Sequence, residues 1–88
     1  MNENHLRYIV RDIEYKIMQR CPQAEMRTSY YPFEDVEALI DVYAPADQVE
    51  ALDELTSDWT YNILLNEGHN IVALVYDMAE APQLAVAA

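Results

Sequence analysis

Eighty-eight residues, 52% hydrophobic and 24% charged, make one small domain with a thin margin of burial and rule out overall disorder. A lone cysteine, Cys21, excludes an internal disulfide and sets a reducing, cytoplasmic location as the expectation; no apolar run nears the roughly 20 residues of a membrane span, and no signal-peptide pattern opens the chain. The net charge of −11 is uneven: all five basic residues fall within positions 1–27, and residues 28–88 hold twelve acids and no Lys or Arg, which argues against direct binding of nucleic acid or anionic membrane and fits either a solubility device or a docking face for a basic partner.

In chain order, Leu6, Ile9, Val10, Ile13 and Ile17 recur at helical spacing and build one apolar stripe over residues 4–20, with Asn2 or Asn4 available as a cap and Pro22 closing the helix. Glu3 with Arg7 and Asp12 with Lys16 are acid-to-base pairs four apart, each worth a few tenths of a kcal/mol. The opposite side presents Tyr8, Arg11, Tyr15 and Met18. Two tyrosines around an arginine suit a partner-binding surface, and they equally suit tyrosines lying flat on a solvated helix.

Residues 24–31 alternate weakly and predict an edge strand, followed by a turn at Pro32, Phe33, Glu34 and Asp35. Val36–Ala44 alternates cleanly: Val36, Ala38, Ile40 and Val42 point one way and are expected in the core, and Glu37, Leu39, Asp41 and Tyr43 point the other. Asp47 with Glu50, just after Pro45, is a variant capping box opening a second helix to Glu67, with Val49, Leu52, Leu55, Trp59 and Ile63 as its buried stripe and Gly68 as its left-handed cap. Thr56 and Ser57 mark a possible break. Glu50, Glu54 and Asp58 lie four apart on the exposed side, where like charges weaken a helix, and Tyr61 and Leu65 extend that stripe. Together these five residues form either a solvated face or a partner-binding one.

Ile71–Tyr76 is apolar on both sides, the pattern of a strand covered on both faces. Residues 1–78 therefore make one domain, and the alanine-rich stretch 79–88 is a tail expected to be poorly ordered or to pack on a neighbour.

Motif chemistry is sparse. One glycine excludes a phosphate-cradling loop, neither His5 nor His69 sits in a catalytic or metal motif, and His69 beside Gly68 reads as an exposed loop residue. No cofactor is expected. The acids Asp35 and Glu37 point the same way at a strand start, as acids of two-metal phosphoryl-transfer sites do. The order of elements around Asp35-Val36-Glu37, Ala38-Leu39-Ile40-Asp41-Val42, Ile63-Leu64-Leu65-Asn66-Glu67-Gly68 and Ile71–Tyr76 resembles the core of minimal nucleotidyltransferases of toxin–antitoxin modules, across about three quarters of the chain. That resemblance implies Mg²⁺ and nucleotide binding at Asp35 and Glu37. The family's Gly-Ser turn is missing, since Tyr30-Tyr31-Pro32-Phe33-Glu34 stands there; its second acid, normally aspartate, is Glu37; and a right-handed crossover puts Asp77 at the opposite end from Asp35. By this resemblance, catalysis has been lost.

The order helix, strand, strand, helix, strand predicts a two-layer α/β sandwich: a three-stranded mixed sheet with both helices on one face. Its other face would expose Leu39, Tyr43, Val72, Leu74 and Tyr76 with Tyr31, more apolar surface than a monomer ordinarily leaves in water. The leading expectation is a non-enzymatic interaction module, either a homodimer through this face or an adjoining edge or part of a complex, with Glu50, Glu54 and Asp58 meeting a basic protein. A degenerate nucleotidyltransferase-like domain and a nucleic-acid mimic binding a basic protein are the alternatives.

Overall fold

The computed structural model describes residues 2–80. Helix α1 (Asn2–Arg20), strands β1 (Glu25–Phe33) and β2 (Val36–Ala44), helix α2 (Val49–Glu67) and strand β3 (Ile71–Asp77) follow one another, with 3-10 turns at Ala46–Gln48 and Met78–Glu80. The sheet order is β1-β2-β3, with β2 antiparallel to β1 and parallel to β3. Both helices lie on the face that β2 lines with Ala38, Ile40, Val42 and Ala44, so the fold is the mixed-sheet α/β sandwich that the element order implies.

Alternation in β2 makes that core: Ala38, Ile40, Val42 and Ala44 are fully buried against Leu6, Ile9, Val10, Ile13 and Ile17 of α1, Leu52 of α2, and Ile71 and Ala73 of β3, whereas Val36, expected with them, lies at the strand start beyond the helices and is only half-buried. The apolar stripe of α1 is thus the one its spacing predicts. Its surface pairs also form, Arg7 to Glu3 at 3.5 Å and Lys16 to Asp12 at 3.2 Å. Over β1, the Thr28 hydroxyl donates to Glu14 at 2.5 Å and the Arg7 guanidinium lies 4.2 Å from the Tyr30 ring centroid, tying α1 to the edge strand.

Four local expectations need correction. Helix α1 is already helical at Asn2, so Asn4 lies within its first turn instead of capping it. Pro32 and Phe33 belong to β1, and the turn shrinks to Glu34–Asp35; Pro32 is tolerated because β1 is an edge strand and the pairing slips between Tyr30 and Phe33, where Tyr31 takes φ 54°. Asp47 sits in the 3-10 turn, and α2 begins after Gln48 with no side-chain cap. No break occurs at Thr56 and Ser57: the Thr56 hydroxyl donates to the Asp53 carbonyl at 3.2 Å, which satisfies it inside a continuous helix and lets Thr56 be fully buried. The helix does end at Gly68, with φ 76° and its N–H donating to the Leu64 carbonyl at 3.1 Å. The tail proposed for 79–88 lies outside the described residues beyond Glu80.

Two substitutions separate packing from backbone conformation. Ile40→Ala empties a fully buried site and is expected to cost about 2–5 kcal/mol in urea unfolding. Gly68→Ala meets no atom within 4 Å, so its expected loss of about 1–2 kcal/mol is left-handed backbone strain alone, and Gly68→Asn should recover part of it.

Candidate functional site

Because β2 and β3 run parallel with Ala38 beside Ile71, Glu37 near the start of β2 meets the residues just ahead of β3. The Asn70 N–H donates to Glu37 Oε2 at 3.0 Å, the Glu37 N–H to the Asn70 carbonyl at 2.9 Å, and Asn70 Nδ2 to the Asp35 carbonyl at 2.6 Å. His69 Nδ1 lies 2.7 Å from the other carboxylate oxygen, Oε1. Both Glu37 oxygens are therefore occupied, and the Asn70 N–H, then His69, holds its carboxyl below the ordinary value of 4.5.

His69 is buried, at 9% exposure, and not the exposed loop residue its place beside Gly68 suggests. Its ring centroid lies 5.5 Å from that of His5, whose Nε2 is 3.0 Å from Glu67 Oε1. Two histidines 64 positions apart in sequence thus join the start of α1, the end of α2 and the start of β2. Among the described residues no group of three or more His, Cys, Asp or Glu is arranged to hold a metal ion. Asp35 is exposed in the hairpin turn, and Asp77 pairs with Ala44 at the far end of β2, as the right-handed crossover requires.

The outer sheet face gathers Leu39, Tyr43, Val72, Leu74 and Tyr76 side by side. Leu39 is in register with Ser29 and Val72, Asp41 with Arg27 and Leu74, and Tyr43 with Glu25 and Tyr76. The Tyr43 and Tyr76 rings stack with centroids 5.4 Å apart, and the Tyr76 hydroxyl donates to Asp41 Oδ1 at 3.3 Å. Partial burial, then the Asp41 charge, raises the Tyr76 hydroxyl above its ordinary pKa. Leu74 and Tyr76 remain 42% and 37% exposed, and Tyr31 in the β1 bulge 55%. The two-sided apolar pattern of β3 is therefore covered on its helix side and open on the other.

The remaining candidates lie on the helix layer, behind this face. Tyr8, Arg11 and Tyr15 are exposed on the outer side of α1, where Gln19 Nε2 donates to the Tyr15 hydroxyl at 3.1 Å. Glu50, Glu54, Asp58, Tyr61 and Leu65 are exposed along α2, and among the described residues no cation pairs with Glu50, Glu54 or Asp58. Between the helices runs a cleft of about 410 Å³ with Ile9, Ile13 and Ile63 in its floor; at one side Lys16 Nζ lies 5.8 Å from the Trp59 ring centroid. No helix among the described residues is long and apolar enough to cross a membrane.

No family model matches the chain, and no curated protein or solved structure matches it either.

A lowered Glu37 pKa means that this side chain stabilises the fold fully above its ordinary 4.5 and loses that contribution as pH falls through the folded value. Glu37→Gln should cost about 1–3 kcal/mol at neutral pH, the scale of hydrogen bonds to a charged group. Urea titrations at successively lower pH should show wild type losing its advantage over the variant below pH 4.5.

Proposed function

We propose that the chain is a cytoplasmic, non-enzymatic protein-interaction module, working as a homodimer or within a larger complex. The observation behind this reading is the open sheet face: Leu39, Tyr43, Val72, Leu74 and Tyr76 form one continuous surface, half-buried to exposed, on the side of the sheet that no helix among the described residues covers. A small chain that leaves so much of its apolar complement in water gains stability and solubility when a partner removes it. Stacked tyrosines flanked by Arg27 and Asp41 also match the composition of binding surfaces, where aromatic anchors sit beside a few oriented charges.

On the helix layer, Glu50, Glu54 and Asp58 offer a basic protein a second contact, distinct from the first in being ionic and screened by salt. This side of the chain has the wrong charge for nucleic acid. The interaction reading is favoured over the nucleotidyltransferase one by the state of Glu37, whose oxygens are engaged by Asn70 and His69 and which therefore works as a structural clamp.

The test places a photo-crosslinking amino acid at Tyr43 of the full chain in cells, with Gln23, an exposed residue of the loop before β1, as control. Discrete adducts are expected from position 43, from a copy of the chain or from another protein, and none from position 23. Adding Leu39→Glu should lower their yield about tenfold, as losing roughly 1.4 kcal/mol of binding would. Irradiation that gives no adduct from position 43 overturns the reading.

A further inference from the structure

The outer edge of β3 is a feature separate from the open face. Among the described residues, sheet order leaves one side of Ile71–Asp77 without a neighbouring strand, so alternate N–H and C=O groups along it point outward with no partner there. Natural edges are blunted by proline, bulges or cations. The β1 edge has all three, in Pro32, the slip at Tyr30–Phe33 and Arg27, whereas β3 reads Ile-Val-Ala-Leu-Val-Tyr-Asp with none. Beside the bare edge, α2 leaves a groove of about 390 Å³ walled by Asp53, Ser57, Thr60, Tyr61 and Leu64.

An unpaired strand edge accepts another extended strand, and the charge around it narrows which one. Of the chain's sixteen acids, Asp53 lines the groove and Asp77 ends the strand. A crossover helix runs antiparallel to the strand that follows it, so both acids lie toward the C-terminal end of β3, while Leu64 and Ile71 occupy the other end. A cationic strand would find no acid along the middle, and a second acidic one would be repelled. A strand that is apolar along its length and carries its charge only at one end fits, and β3, uncharged from Ile71 to Tyr76, is one.

We propose that β3 pairs antiparallel with β3 of a second copy about a two-fold axis at Leu74, joining two three-stranded sheets into one of six. That register uses all seven residues of both strands. On the open face Leu74 meets its own copy and Val72 meets the second copy's Tyr76, an aromatic with a β-branched residue, which is a favourable cross-strand pair. On the helix side Ala73 meets Val75 of the second copy, and each Asp77 meets an isoleucine instead of another acid. The two α2 helices lie along the seam, where the small side chains of Ser57 and Thr60 permit approach. An interface of this kind is isologous and self-complementary.

Light scattering on the full chain over a wide concentration range tests the pairing. Twice the 10.2 kDa chain mass is expected. Ser57→Arg, at an exposed α2 site on the groove wall, sets cations on both sides of the axis and should move the dimerisation midpoint to at least about tenfold higher concentration; Leu39→Glu, on β2 away from the edge, should leave it in place. As a measurement independent of variants, amide exchange along β3 should slow as concentration rises. A monomer at every concentration overturns the pairing, as does a dimer that Ser57→Arg leaves intact, or β3 exchange that does not respond to concentration. A monomer that still gives adducts from position 43 removes this proposal and spares the interaction reading, and a dimer that gives none does the reverse.

Discussion

The inward row of β2, Ala38, Ile40, Val42 and Ala44, is the contact on which both helices depend. Its small residues at either end and branched ones in the middle let α1 and α2 settle on a single surface. Helices about 10 Å wide, laid on strands about 4.8 Å apart, leave room for only two over three strands. With both spent on one face, the chain has nothing among its described residues to lay over the other. The half-buried to exposed row of Leu39, Val72 and Leu74 is thus a consequence of element count, independent of any particular side-chain choice.

Burial in so small a core leaves the strand starts in need of another restraint, and the Glu37, His69 and Asn70 contacts supply it. They act where the hairpin, the crossover and the end of α2 converge, and His5 with Glu67 extends the linkage to the first turns of α1. Four of the five structural elements are therefore coupled at one end of the sheet. The opposite end, where β2 closes on Ala44 and β3 on Asp77, is held by contacts within the sheet and the turn after it: the Tyr43–Tyr76 stack, the Tyr76 hydroxyl donating to Asp41, and the Ala79 N–H donating to Asp77.

How much of this was legible follows from how local each signal is. The limits of β2 and the stripe of α1 are readable because alternation and helical spacing are short-range and both elements are buried on one side only. Thr56 raises a break as an alternative because a threonine that bonds back to its own helix looks, in sequence, like a cap. Pro32 suggested a turn because its tolerance in an edge strand depends on a bulge that only the pairing shows. His69 was missed for a different reason: its partner is 32 positions away. A signal did exist, since parallel pairing brings the starts of two strands together, and an acid in the first residues of β2 opposite a histidine and asparagine just before β3 follows from that register. Exposure of the sheet-face residues was legible as soon as both helices were assigned to one side, whereas separation of the tyrosine, acidic and sheet-face patches onto two layers required the fold.

The bulge in β1 has a consequence for the size any assembly can reach. Tyr31 at φ 54° and Pro32 turn the hairpin end of that edge away from ladder geometry, a device that β3 lacks. Fibrous growth needs an acceptor at each end of every added unit. Under the proposed β3 pairing, a chain built this way has a valence of one at its strand edges, and strand addition stops at fixed stoichiometry even when protein is concentrated.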